Sequence, residues 1–197
     1  MNDYNKDYYE SVNYTDYHQR QDRYNQLALE ITNHLKVHEL DQDPILDFGC
    51  ATGMLIKGLI SLGYKEVYGV DVSEWAVEQC KAADLNVSTS MNYGTHYGLT
   101  FALDVFEHMT VDQFNGFIAQ VRTKVLVFRM PICREGEEDY HLECSRQDST
   151  HIIRWTRAQW EAQFRKHGFV PLPINLHTIY NSEGVYTGIA LQEKFYL

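Results

Sequence analysis

No stretch of this chain approaches 18 consecutive apolar residues, which excludes a membrane-spanning helix. Basic residues are scarce, with 17 Lys and Arg against 27 Asp and Glu, for a formal net charge of −10. There is no Lys/Arg-rich run to override that charge locally. A phosphate backbone would be repelled, so nucleic acid is a disfavoured partner. Cysteine is sparse too: Cys50, Cys80, Cys133 and Cys144 lie far apart and form no C-x-x-C pair. Four reduced thiols are expected rather than a disulfide framework. The first ten residues, Met1 to Glu10, have no basic n-region and no apolar core. They do not read as a signal peptide, and a cytoplasmic location is expected.

What is present is ordinary for a globular protein: 44% hydrophobic and 22% charged residues over 197 positions. That length suits a single domain burying roughly 70% of its unfolded surface. Residues 1–20 form a polar arm carrying Tyr4, Tyr8, Tyr9, Tyr14 and Tyr17. Over 22–36, Tyr24, Leu27, Ile31 and Leu35 fall at helical spacing. The core is expected over 40–195.

Strands and helices then alternate. The pattern predicts strands at Pro44–Phe48, Glu66–Val70, Asn86–Thr89, Leu99–Leu103 and Lys124–Met130. Helices are predicted at Met54–Leu62, from Ser73 to about Ala83, and from Thr110 to about Val121. Ser73 and Thr110 are the expected N-caps. Thr156 and Gln159 form a T-x-x-Q capping box for a helix ending near His167. His177–Tyr180 and Val185–Leu191 flank Asn181-Ser182-Glu183-Gly184, a hairpin signal. Alternating βα units imply a doubly wound, Rossmann-like α/β fold with a mostly parallel sheet, closed by an antiparallel C-terminal hairpin. Between Pro131 and Trp155 runs a polar stretch with no clear element. It is too long for a simple connection, and long loops in compact domains are usually functional.

Three segments carry the chemistry. In Asp47-Phe48-Gly49-Cys50-Ala51-Thr52-Gly53, a strand delivers the chain to a glycine turn that opens a helix. Such a turn lets backbone approach a ligand and offers unpaired N–H groups. In Val70-Asp71-Val72-Ser73, an acid ends the second strand about 20 residues later, where doubly wound folds bind ribose hydroxyls. The third segment is Leu103-Asp104-Val105-Phe106-Glu107-His108.

Together these segments resemble the class I S-adenosylmethionine-dependent methyltransferases, and within them the small-molecule enzymes. The resemblance extends over most of residues 40 to 195, including Trp155 to Phe169 and the closing hairpin. It implies a seven-stranded sheet, S-adenosylmethionine as cofactor and a small-molecule acceptor methylated at oxygen. It implies that Asp47, with the backbone of Gly49, Cys50 and Gly53, holds the methionyl end. Asp71 would take the ribose hydroxyls, Val72 would lie against adenine, and Ser90 and Met91 would meet its edge. Asp104 would line the pocket near the sulfonium. Ala51 replaces the middle glycine of the family's turn, no acid follows the third strand, and Gly98 stands where strand four usually starts with Asp.

Methyl transfer is an in-line displacement that mainly needs alignment. An acceptor with a proton to lose can also need a base, and His108 and His151 are the candidates. Each could equally be a structural histidine. Arg129 and Arg134 could clamp an acidic acceptor or pair with Glu135, Glu137 and Glu138. His141, Cys144, Asp148 and His151 contain ligand types, but their order matches no zinc module, and no metal is expected. The tyrosine arm could fold over the cofactor or pack on the outer sheet face. Two rival functions share part of the pattern: a nicotinamide-dependent oxidoreductase, opposed by the absence of G-x-G-x-x-G, and a non-catalytic binding domain, opposed by the intact turn. Nothing in the pattern fixes an oligomeric state.

Overall fold

A computed structural model of the chain describes residues 4–10, 19–35 and 43–195. Tyr14 and Tyr17 of the arm, and Lys36 at the predicted helix end, lie outside them. The chain falls into two compact units, Met1–Asn92 and Tyr93–Leu197.

The first unit opens with α1 (Lys6–Tyr9), capped by Asn5, and α2 (Gln21–Leu35). Then come β1 (Ile45–Phe48), α3 (Met54–Ser61), β2 (Val67–Val70), α4 (Glu74–Ala82) and the two-residue β3 (Val87–Ser88). The Ser73 hydroxyl accepts from Ala76 N, as a helix cap should. β1 pairs with β2 and β2 with β3, both in parallel. Leu27, Ala28 and Ile31 form the buried stripe of α2. That helix approaches α3 at Gly58, where a Cβ would stand 3.3 Å from the Ala28 methyl and 3.1 Å from the Tyr24 carbonyl.

The second unit holds β4 (Tyr97–Leu103), α5 (Val111–Gln120), β5 (Thr123–Pro131), α6 (Glu143–Gln147), α7 (Arg157–Lys166), β6 (Phe169–Pro173) and β7 (Val185–Gln192). β4 and β5 run parallel, while β7 is antiparallel to β5 and to β6. Capping boxes start both long helices, at Thr110/Gln113 and Thr156/Gln159. Phe106, Phe114, Phe128, Trp160 and Phe164 make its aromatic core, all fully buried. Phe114 meets Trp160 edge-on at 5.3 Å, and Phe128 stacks on Phe164 at 4.8 Å.

The sheet has seven strands in the order β3-β2-β1-β4-β5-β7-β6. The expected mostly parallel sheet with an antiparallel closing hairpin is therefore present. Its edge differs from expectation in one respect. The partner of β7 is Phe169–Pro173, not His177–Tyr180. Pro171 and Pro173 hide this strand from its sequence pattern, and their lack of an N–H is tolerated because β6 is an edge strand. Residues 177–180 belong to the connection. The Asn181 amide holds it there, donating to the carbonyls of Ile174 and Thr187 while Thr187 N donates to Asn181 Oδ1. The polar stretch after β5 is likewise not featureless. It contains α6 and is pinned by Tyr140, whose hydroxyl donates to the Ile153 carbonyl at 2.6 Å.

Candidate functional site

In the first unit the candidate residues converge on the turn between β1 and α3. Three successive odd positions of that turn have left-handed backbone: Gly49 (φ 78°), Ala51 (φ 47°) and Gly53 (φ 75°). Glycine adopts this conformation without strain, whereas alanine pays of order 1 kcal/mol or more. Ala51 stays there because Asp71 holds it: Ala51 N donates to Asp71 Oδ2 at 2.7 Å. The other carboxylate oxygen accepts from Ser73 N at 2.9 Å. Gly49 N and Cys50 N both donate to the Val70 carbonyl, at 2.7 and 3.1 Å. The end of β2 is thus the template on which the turn is built. A Cβ on Gly53 would lie 2.4 Å from Leu85 Cδ1 and would also carry the strain of φ 75°, so glycine is favoured there.

Two carboxylates are buried here, Asp47 at 5% and Asp71 at 7% exposure. Burial, reinforced by the charge of Asp71, pushes the Asp47 carboxyl up to about 7. Burial also raises Asp71, although its bonds from Ser73, Ala51 and Tyr9 pull the other way. Among the described residues no cation pairs with Asp47. The thiols of Cys50 and Cys80 share a hydrogen bond, which together with burial raises Cys50 and which, against burial, lowers Cys80. Two buried carboxyls beside a turn of left-handed backbone can answer the ammonium and hydroxyl groups of a ligand.

The Asp47 shift has a measurable consequence. An acid whose pKa is higher folded than unfolded binds more protons when folded, so stability falls as pH rises through the window between the two values. That window runs from the unfolded 3.8 to about 7, and the full effect is on the order of 4 kcal/mol. Urea unfolding of wild type should lose stability from pH 5 to 7.5, and Asp47→Asn should flatten this slope and be the more stable protein at pH 8. Parallel pH curves for the two would show that Asp47 is ionised throughout.

Tyr9 was a less visible member of the site. It is 5% exposed, stacks on Trp75 of α4 at 5.3 Å, and hydrogen-bonds the Asp71 carboxylate. The tyrosine-rich composition of the arm was its only signal. Val72 follows β2 with 63% exposure, and Ser90 and Met91 follow β3, Ser90 exposed and Met91 half-buried. The Ser90 carbonyl accepts from Ser88 Oγ at 2.6 Å.

Asp71→Ala removes the carboxylate that holds the turn and any bond it gives to a ligand. Charge-assisted bonds contribute roughly 1.5–3 kcal/mol each. The dissociation constant for S-adenosylmethionine should rise about tenfold to hundredfold, and the melting temperature should fall as well. A change in affinity below twofold by calorimetry would take Asp71 out of the site.

The second unit assembles the other candidates around the 3-10 turn Phe106–His108 that follows β4. Asp104, at φ 55°, is ion-paired with Arg129. Arg134 pairs with Glu137 and Glu183, and His141 also approaches Glu183 at 3.4 Å. His108 and His151 come together, rings edge to face at 4.5 Å. His151 Nδ1 is 3.0 Å from the Ser145 carbonyl. An acceptor there requires that Nδ1 carry the proton, which leaves Nε2 with the lone pair. His108 Nδ1 lies 2.8 Å from Thr150 Oγ1, and that hydroxyl donates its own proton to Asp148 at 2.5 Å. His108 is therefore the same tautomer. Burial, with His151 nearby, takes His108 down to about 4, and burial lowers His151. Both rings are neutral at pH 7.

Glu107 was noted in the sequence only as the neighbour of His108. It is 1% exposed, and among the described residues its Oε2 has no hydrogen-bond partner. Burial, then the charge of Asp104, holds its carboxyl well above the usual range. Its carbonyl accepts from both Ile152 N and Ile153 N, at 2.6 and 3.0 Å, which fastens the segment carrying His151 to the turn carrying His108.

A family model described as a methyltransferase domain matches residues 17–173. Among solved structures, the chain is similar to magnesium protoporphyrin IX methyltransferase from Synechocystis with bound S-adenosylhomocysteine. The TM-score is 0.63 at 15% identity, covering 95% of this chain and 97% of that one. It is also similar to an S-adenosylmethionine-dependent methyltransferase from Clostridium acetobutylicum, with TM-score 0.65, 14% identity, and 94% and 96% coverage. Ribosomal protein L11 methyltransferase of Shewanella is 39% identical over 44 residues, which is 22% of this chain and only 15% of that relative's length.

Proposed function

The chain belongs to the methyltransferase-domain family, the S-adenosylmethionine-dependent enzymes of class I, and we propose that it transfers the methyl group of S-adenosylmethionine to a small molecule, at an oxygen atom, in the cytoplasm, with residues 1–197 serving this one activity. The observation that carries the donor half is the turn Gly49–Gly53 fastened to Asp71. In this reading Asp47 and the backbone of Gly49, Cys50 and Gly53 receive the methionyl end, its ammonium answering the buried carboxyl. Asp71 takes the ribose hydroxyls, one on the acceptor site left by Ala51, Ser73 and Tyr9 and the other in place of the Tyr9 hydroxyl, since a carboxylate has about four acceptor sites. Val72, Ser90 and Met91 contact adenine, and Asp104 lines the sulfonium end. The cofactor supplies an electrophilic methyl; the protein aligns it and excludes water.

His108 and His151 are assigned to the acceptor. The support is their shared tautomer, with each Nδ1 proton committed to an acceptor and each Nε2 bearing a lone pair. A neutral imidazole so held can receive the proton of an acceptor hydroxyl. The magnesium protoporphyrin IX methyltransferase neighbour acts on a small molecule, which supports that class of acceptor here. Incubation with radiolabelled S-adenosylmethionine and a panel of hydroxylated, carboxylated and amino compounds tests the proposal. Label should enter an alkali-characterised ether or ester. Label entering protein or amines instead would overturn the acceptor class.

A further inference from the structure

We propose that Glu107, His108 and His151 bind one divalent first-row transition ion, of which zinc is representative. Each residue offers one ligand atom, and the three atoms lie within 4.8 Å of one another. Bonds of about 2.0–2.2 Å would draw these three atoms closer together around the ion. Two imidazoles and one carboxylate are a set that transition ions take up in preference to magnesium or calcium, which favour all-oxygen shells.

Four features of the surroundings agree. The Glu107 carboxyl is buried and one of its oxygens has no hydrogen-bond partner among the described residues, an expensive arrangement that a cation would relieve. The His151 ring is oriented by a backbone carbonyl on Nδ1, and the His108 ring by Thr150 backed by Asp148. That is how metal-binding histidines are ordinarily fixed, through the nitrogen that does not meet the ion. The local charge is also right. Asp104 and Asp148 both act on His108, and Asp148 Oδ2 stands 3.6 Å from His151 Nε2. Arg129 already pairs with Asp104. Finally, His108, Asp148 and His151 are only partly buried, so an ion can enter and keep an open position. A ring that ligates the ion has no lone pair left for an acceptor proton, so the base role assigned to these histidines belongs to the metal-free protein.

The test uses neither methyl donor nor acceptor, so its outcome is separate from that of the methyl-transfer reading. The full-length chain is stripped with a chelator and titrated with cobalt(II), then with zinc in competition. One cobalt per chain should bind, with visible d–d bands of nitrogen and oxygen ligation and no thiolate charge-transfer band. Zinc should displace it and raise the melting temperature. Glu107→Gln and His151→Asn should each weaken binding at least tenfold and lose the zinc-induced stabilisation. His141→Ala and Cys144→Ser should bind as wild type does. Glu107→Gln is isosteric, so it decides the matter if His151→Asn fails to fold. Binding below one ion per chain, a thiolate band, or unchanged affinity in Glu107→Gln would overturn the proposal.

Discussion

Gly49→Val is expected to abolish S-adenosylmethionine binding while leaving a folded protein. Gly49 sits at φ 78°, where a β-branched residue is a backbone outlier. Relieving that strain moves the amides of Gly49 and Cys50 off the Val70 carbonyl. It also moves the backbone that is proposed to meet the methionyl end of the cofactor. The expected loss of affinity exceeds about a hundredfold, or roughly 3 kcal/mol. Gly63→Ala is the control. Gly63 has φ 95° with open space around it, so alanine there suffers the same kind of backbone cost without touching the turn. It should lower the melting temperature by a few degrees and keep full affinity. Calorimetry showing wild-type affinity in Gly49→Val would remove the turn from the binding site.

Loss of turnover with intact cofactor affinity is the expected phenotype of His151→Ala. A positioned base contributes about 10²- to 10⁴-fold, so kcat on the true acceptor should fall at least tenfold. His151→Asn refines the experiment. Its side-chain amide can still donate to the Ser145 carbonyl in place of Nδ1, but it brings no Nε2 lone pair. If only packing mattered, Asn would rescue what Ala loses; the expectation is that it does not. His108→Ala is compared alongside. Full activity in all three variants would mean that methyl transfer here is alignment alone.

Much of this was legible in the residues because it is local. The strand into Gly49, the helix out of Gly53 and the acid at the end of β2 are contiguous patterns, each with its own periodicity or cap. Thr156 and Gln159 announced α7 because a capping box is complete within four residues. What sequence did not reveal is non-local or masked. β6 was hidden by two prolines that only an edge strand accepts. α6 is a five-residue helix without a side-chain cap. The grouping of Glu107 and His108 with His151 depends on two amide bonds to the Glu107 carbonyl from residues more than forty positions later. Tyr9 stacks on Trp75 and bonds the Asp71 carboxylate from the far end of the first unit's sequence. No spacing rule connects such positions. Ala51, the apparent departure at the middle of the turn, is accounted for by the structure: the position does take glycine-like backbone, and Asp71 stabilises alanine in it.

Calorimetric titration of the protein with S-adenosylmethionine, S-adenosylhomocysteine and NAD tests the account most directly. The turn, the two buried carboxylates and the family predict one-to-one binding of the first two ligands, with NAD at least about a hundredfold weaker. NAD as the tighter ligand, or no heat with any of the three, would contradict it.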